Sequence, residues 1–528
     1  MDPAHSLRDV LPDDCTDRLT VEELDAAAFA DRWLDAAWPG LAELVGRGTY
    51  LDAGTAEPLL RTAVRAAGEA AAALRLSEIW CARPAGSQLI VDTPPIGAAL
   101  RVLAAGESLA GWRDALDAMA AKAVAVSAAL AGPGVPEPGV AVRAQLEHAT
   151  ASFADLLASA GFVVVERASG EADRLAAELV ERGLRVVARI GTGPPGPTDD
   201  GPGPALVAPM LPEPTGCDAL RQWRAGLRPA APAPPVADDR PAARGSGSAR
   251  RWLEALEPRL LLFAGKGGTG RTTCAAAVAL GLAQSRPVRL LEADRSGDAG
   301  RVLGEAGERA GIELRRVDPE AAVRAARARY EEQMARFFHA IGMDQRAALD
   351  RQVVEQLWKL APPGADEAVA VAELLGVMND SGTIVVDAAA TGHFVRLIAM
   401  PEFALRWAQG LLALLRQHAA AGLGDAVDGI GVFAEEVRGL RTRLTDARAT
   451  AVFVVTVPGR VVRAETDRLI AGLAAANLPL AAVILNRSKD DFAPAGLTRI
   501  VAPVAAAPPT GAALLPFLDR WELRPWAA

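Results

Sequence analysis

Nine residues carry the sharpest chemistry in this chain: Gly265-Lys266-Gly267-Gly268-Thr269-Gly270-Arg271-Thr272-Thr273. They follow the apolar run LLLFA (260–264) and precede the Ala-rich run CAAAVALGLA (274–283). The pattern is a phosphate loop, GxxxxGK[ST], with Arg271 in the place of the lysine. Glycines let successive backbone N–H groups turn inward around phosphate oxygens, and the helix that follows adds its positive N-terminal dipole. Gly265, Lys266, Gly267, Gly268, Thr269, Gly270, Arg271, Thr272 and Thr273 are therefore the expected phosphate-binding residues. The Thr272 hydroxyl is the expected ligand of Mg²⁺. Arg271 is the departure: its forked, planar head is not equivalent to the compact charge of a lysine. Reduced hydrolysis with binding retained is one expectation for it.

Two acidic residues complete the chemistry. PVRLLEADRSGD (287–298) reads as a strand ending near Glu292 and Asp294, and GTIVVD (382–387) as a strand ending in Asp387. A carboxylate closing a strand beside a phosphate loop holds Mg²⁺ through water, the role expected of Asp387. Asp294 is placed to orient an attacking water. Either residue alone would read as a helix cap; their order after a phosphate loop favours the chemical role.

The elements that must position these residues are short apolar strands alternating with helices, the signature of βαβ units and a mostly parallel, helix-covered sheet. Three segments recur in the same order. SQLIVDTPPIGAALRVL (87–103) echoes GTIVVDAAATGHFVRLI (382–398), with Arg101 and Arg396 at matching places. The segment 162–190 echoes 452–488, both reading strand, loop, amphipathic helix, strand. LVAPMLPEPTGCDALRQW (206–223) echoes the segment 500–521. Such recurrence implies tandem copies of one domain. RPAAPAPPVADDRPAARGSGSARR (228–251) separates them as a Pro/Ala/Gly linker. The expected division is a first half over 1–227, a linker over 228–250 and a second half over 251–528. The fold class is α/β: tandem P-loop domains, mostly parallel sheet flanked by helices, with extra helical layers over 22–80, 319–378 and 401–424.

Composition narrows the classes. A length of 528 residues allows two to four domains, and 51% hydrophobic residues allow a sizeable core. The net charge of -9 argues against nucleic acid as a partner. Cys15, Cys81, Cys217 and Cys274 are widely spaced with no CxxC, so neither a disulfide framework nor a zinc cluster is expected, and a cytoplasmic protein fits. No basic and apolar leader precedes the first elements. No apolar run reaches the roughly 18 residues of a membrane helix. Only Lys122, Lys266, Lys359 and Lys489 are lysines among the 56 basic residues, a bias toward arginine that bears on Arg271.

GKGGTGRTT resembles the deviant phosphate loop of the ArsA-like ATPases, whose early extra lysine matches Lys266. VVDAAATGHFVRLIAMPE is similar to that family's second switch, VDTPPIGAALRVL is a looser copy, and the opening DPAHSL resembles its first switch. The resemblance covers nearly the whole chain outside the linker and is closest to the two-halves-in-one-chain form. It implies ATP and Mg²⁺ as cofactors and a pseudo-dimer within one chain, with a homodimer also open. It implies that Lys266 reaches the nucleotide of the facing half, that Asp294 is the catalytic first-switch aspartate and Asp387 the second-switch aspartate. Asn486 would contact adenine; its echo in the first half falls near Arg189. DRSGD (294–298) departs from a DPAHS-like loop. In that family DPAHS follows the phosphate loop, so the first half is expected to lack its own. A start assigned too late is the favoured explanation; a lost nucleotide site is the other.

The cargo stays open. Arsenite needs thiols, and 107–126 and 401–420 contain none. A hydrophobic transmembrane segment or membrane-bound partner needs an apolar groove; Trp33, Trp38, Trp112, Trp407, Phe337 and Phe338 are candidates to line one, or else ordinary helix-packing residues. The expectation is an ATPase that binds and slowly hydrolyses Mg·ATP in its second half and couples nucleotide state to closure of the halves. The alternatives are a non-hydrolysing nucleotide-binding scaffold and an arsenite- or anion-pump subunit. A surface-partitioning ATPase shares the loop but lacks the TGH switch.

Overall fold

The computed structural model describes residues 10–11, 19–48, 53–93, 96–131, 136–166, 171–192, 201–209, 217–229, 247–292, 298–316, 382–388, 405, 424–488, 496–505 and 508–524. Asp294, the TGH residues 391–393, the opening DPAHS and the stretches 319–378 and 406–423 lie outside them, as do Trp407, Phe337 and Phe338.

In the N-terminal part, α1 (Ala26–Gly48), α2 (Ala53–Ala66), α3 (Gly68–Ala82), α4 (Ile96–Ala131) and α5 (Val140–Ser159) share one core. α3 carries the run Ala70–Ala73, all buried. Methyl side chains let neighbouring helices approach closely around Leu34, Leu44, Leu109, Leu146 and Phe153. Trp33 is buried in this core and stacks at a tilt on Trp112, ring centroids 6.1 Å apart, with Trp38 packed beside them. These three tryptophans hold helices together.

A small sheet follows: β1 (Phe162–Glu166), β2 (Val186–Thr192), β3 (Ala205–Ala208) and β4 (Arg228–Pro229), with α6 (Glu171–Glu181) between β1 and β2 and α7 (Cys217–Ala225) between β3 and β4. The order is β1-β2-β3-β4; the first two pairings are parallel and the last antiparallel. Arg189 is fully buried on β2. Its guanidinium donates to the carbonyls of Gly201, Pro202 and Gly203 and pairs with Asp173.

The C-terminal part opens with α8 (Ser248–Glu254), then β5 (Leu260–Ala264), α9 (Arg271–Leu282), β6 (Val288–Glu292), α10 (Asp298–Arg309), β7 (Glu313–Arg316) and β8 (Thr383–Asp387). After these come α11 (Gly424–Thr445), β9 (Thr450–Thr456), α12 (Arg460–Ala475), β10 (Leu480–Asn486), β11 (Arg499–Ala502), α13 (Leu514–Asp519) and β12 (Glu522–Arg524). The described strands form one sheet in the order β12-β11-β10-β9-β5-β8-β6-β7, parallel throughout except for β12. β5, β8 and β9 are buried at every position, as strands covered on both faces must be. One face packs α9, whose residues 274–280 are wholly enclosed, with Phe263 stacked on Phe453 at 5.0 Å and Trp521 edge-on to Phe517.

β9-β10-β11-β12 repeats the order and the directions of β1-β2-β3-β4. Two expectations need correction. SQLIVDT (87–93) is not a strand, and Ile90 is 81% exposed. Its counterpart β8 is held between β5 and β6; among the described residues no strand flanks 87–93, and a β-run without neighbours leaves its ladder groups to water. The expected linker is also invaded at both ends. Arg228 and Pro229 pair with β3, while α8 joins the C-terminal part through Arg250–Asp519 at 2.8 Å and the Leu523 N–H donating to the Ser248 hydroxyl.

Phe453→Ala removes the stacked partner of Phe263 from a fully buried strand. It is expected to cost about 3–5 kcal/mol, read as a lowered urea midpoint for the C-terminal part.

Candidate functional site

Parallel α/β sheets bind ligands at the carboxyl ends of their strands. At that edge here stand the loop after β5, Glu292 ending β6, Asp387 ending β8, Thr456 ending β9 and Asn486 ending β10. The structure thus brings together every sequence-assigned residue that is described: Gly265 through Thr273, Asp387 and Asn486.

The loop is tightly seated. Gly265 has φ 150°, and a Cβ there would lie 2.3 Å from the Val455 carbonyl oxygen. Gly270 caps α9 at φ 86°, and a Cβ there would meet Asn486 Nδ2 at 2.3 Å. The Thr269 hydroxyl donates to the Lys266 carbonyl at 2.8 Å, which closes the turn. Gly267 and Gly268 are exposed, so the loop opens to solvent at its tip. Thr272 and Thr273 are half-buried in the first turn of α9.

Asn486 braces this loop. Its side-chain N–H donates to the Thr269 carbonyl at 2.8 Å, and its Oδ1 accepts the Arg487 N–H at 2.9 Å. Contact with adenine, the role implied for it, would have to share or displace those bonds.

Both cationic side chains of the loop are held by carboxylates. Lys266 Nζ lies 2.8 Å from Glu465 Oε2; the Glu465 side chain, on α12, is 6% exposed. Arg271 Nε donates to Asp387 Oδ1 at 2.7 Å, with side chains 7% and 1% exposed. Breaking such a pair by removing one partner costs about 3–5 kcal/mol, because the other charge stays buried. Asp387, the expected holder of hydrated Mg²⁺, is engaged by a guanidinium instead. As placed, the donor set of Thr272 and Asp387 does not fit a hydrated divalent cation, since Asp387 already carries a charge partner.

Glu465 and Glu292 are the site residues that sequence reasoning passed over. Nothing local marks Glu465, which meets Lys266 across 199 positions of chain. Glu292 did leave a signal: an acidic residue closing an otherwise apolar strand. It is the register partner of Asp387 on the adjacent strand and is completely buried. Burial is the main cause that raises its carboxyl above the ordinary range. The Ala299 N–H at 2.8 Å and Arg316 Nε at 3.2 Å act against that rise, and the charge of Asp387 adds to it. Cys274 is enclosed beneath the loop, and burial pushes its thiol up, out of nucleophilic reach at neutral pH.

A parallel sheet with a glycine-rich loop leading from its central strand into a buried helix is the P-loop fold. Residues 258–493 match the anion-transporting ATPase family, ArsA_ATPase. The chain is 26% identical over 267 residues to ATPase GET3B of Arabidopsis thaliana, covering 43% of this chain and 63% of that protein. It is 26% identical over 276 residues to ATPase ARSA1 of Chlamydomonas reinhardtii, covering 43% and 35%. With the arsenical pump-driving ATPase of Escherichia coli it shares 28% identity over 160 residues, 27% and 26% of the two chains. Through residues 258–493 the chain is similar to the ArsA-like P-loop ATPases. It spans less than two thirds of the length of each of these three relatives. No helix among the described residues is long and apolar enough to cross a membrane.

Two outcomes follow from this geometry. Gly270→Ala puts a side chain in the left-handed region, at about 1–2 kcal/mol, and against Asn486; a lower urea midpoint together with weaker nucleotide binding is expected. Glu292 has a raised folded-state pKa, so the folded protein holds more protons than the unfolded chain. Stability is then fullest below the ordinary glutamate value of about 4.3 and falls as pH rises through the elevated one. Glu292→Gln is expected to flatten that fall in urea titrations run across a pH series.

Proposed function

We propose that the C-terminal half binds ATP at Gly265–Thr273 and turns it over slowly. The observation that carries this reading is the loop itself. It leads from the carboxyl end of the central strand β5 into the N-terminus of α9, with its glycine tip open to solvent. Phosphate oxygens would sit against the loop N–H groups and the helix N-terminus. Hydrolysis is in-line attack of water on the γ-phosphate, giving ADP and phosphate, with most of the rate from positioning and charge. Asp294 is the residue assigned to orient that water. Closure of the two halves around the nucleotide, with a hydrophobic membrane-protein segment as cargo, extends this reading and rests on the family likeness alone.

A second reading has its own observation. The buried Arg271–Asp387 pair commits the aspartate that the chemistry would use, which favours a nucleotide-binding scaffold with no turnover.

Steady-state phosphate release by the full chain, beside Asp294→Asn and Arg271→Lys, separates the two. Slow release abolished in Asp294→Asn supports the ATPase. Binding without release, with Arg271→Lys raising turnover at least about tenfold, or about 1.4 kcal/mol of barrier, supports the scaffold. Absence of ATP binding in every form refutes the site.

A further inference from the structure

We infer that Glu465 is a positioning residue that restrains this site: it holds the Lys266 side chain against α12, away from the phosphate cradle, and the lysine serves a nucleotide only after leaving that carboxylate. The inference rests on the reading of Gly265–Thr273 as the nucleotide site and adds how that site is regulated.

Three observations carry it. First, the sheet stands between the helix that would receive phosphate and the helix that holds the lysine. α9 packs on the face of the sheet that presents Leu261 and Phe263. α12 packs on the other face, where Leu469 and Leu473 meet Leu260 and Leu262. Glu465 precedes Leu469 by four residues and so shares its side of α12. The Thr466 hydroxyl next to it donates to the Val462 carbonyl at 2.7 Å and shares a 2.8 Å hydrogen bond with the Thr456 hydroxyl, which fixes this turn of α12 to the carboxyl end of β9. The ion pair at 2.8 Å therefore draws Lys266 Nζ over the carboxyl edge to the α12 side. Phosphate oxygens would lie on the other side, at the N-terminus of α9.

Second, the lysine can move and its partner cannot follow. The Lys266 carbonyl accepts from both the N–H and the hydroxyl of Thr269, at 3.3 and 2.8 Å, so reorientation is confined to the side chain. That side chain is 28% exposed, whereas the Glu465 side chain is enclosed. A flexible four-carbon stem gives the ammonium a path through water.

Third, charge sets the direction of the effect. Glu465 neutralises Lys266 as Asp387 neutralises Arg271. The Arg271–Asp387 pair is almost wholly enclosed, so of these two loop cations Lys266 is the one placed to respond to a ligand. A nucleoside polyphosphate carries several negative charges and competes with a single carboxylate for the ammonium. Whatever free energy the Lys266–Glu465 pair contributes is then subtracted from nucleotide affinity, because the bound state must give the pair up.

The test is calorimetric titration of the full chain with Mg·ATP, beside Glu465→Gln and the double variant Glu465→Gln/Lys266→Met. Glutamine keeps the size of the side chain and removes its charge. Glu465→Gln is expected to tighten ATP binding by at least about threefold; a pair that served packing alone would give no such gain. In the double variant the affinity is expected to return to that of the unaltered chain or below it, because the lysine that used the freedom is gone. A smaller gain in Glu465→Gln, or weaker binding, overturns the inference and leaves the nucleotide site standing. A gain that persists in the double variant overturns the assignment to Lys266. Absence of ATP binding in every form refutes the site reading and this inference with it. Glu465→Ala is read in the same way if the glutamine variant does not fold.

Discussion

The carboxyl edge of the large sheet gathers charge in a place with little water, and the C-terminal half is arranged around meeting that constraint. Arg271 and Asp387 are almost wholly enclosed and bond at 2.7 Å. Isolated, either charge would be expensive in an apolar interior. Their pairing requires α9 to begin where β8 ends. That in turn requires β8 to lie next to β5, from which the loop springs, as the strand order provides. Glu292 extends the same solution one strand further, and Lys266–Glu465 ties the outer part of the loop to α12.

Small residues make this geometry possible. The loop approaches Val455 and Asn486 so closely that a methyl group would collide with them, so glycine stands at both points. α9 continues the theme with alanines at 275–277 and 279, all fully enclosed. An alanine-rich surface lets a helix settle near a sheet while losing little side-chain entropy. The loop is therefore held on a helix that is itself clamped between the sheet, α8 and α13.

The N-terminal part has the same strand topology in miniature but a different centre. Its sheet repeats the outer four strands of the larger one, but where β10 ends in Asn486, paired with Ala502, β2 ends in Thr192, paired with Ala208; Arg189 stands earlier on β2, level with Val483. Arg189 donates to three carbonyls and pairs with an aspartate, a structural task. Where the large sheet has β5 and β6 around β8, the segment 87–93 runs without strand pairing, with Leu89 and Val91 half-buried against the helical core. The bulk of the described N-terminal core is a helical assembly, in which Trp33, Trp38 and Trp112 are packing groups.

The sequence by itself determined the class of the C-terminal half. Strand-length apolar runs, a glycine-rich turn at fixed spacing and an alanine-rich helix are local signals; they need no partner to be read, because backbone freedom and side-chain size act within a few residues. The three internal echoes were legible for the same reason, and two of them correspond to strands in the same order. Only the tertiary structure decided which charges meet. Arg271 and Asp387 are 116 positions apart, and Lys266 and Glu465 are 199 apart; periodicity has no purchase on such pairings. It also decided that SQLIVDT is coil, since a strand exists through its neighbours and this segment has none among the described residues. Burial did the rest: Glu292 looked like the end of a strand, and enclosure beside Asp387 made it a carboxyl with a raised pKa.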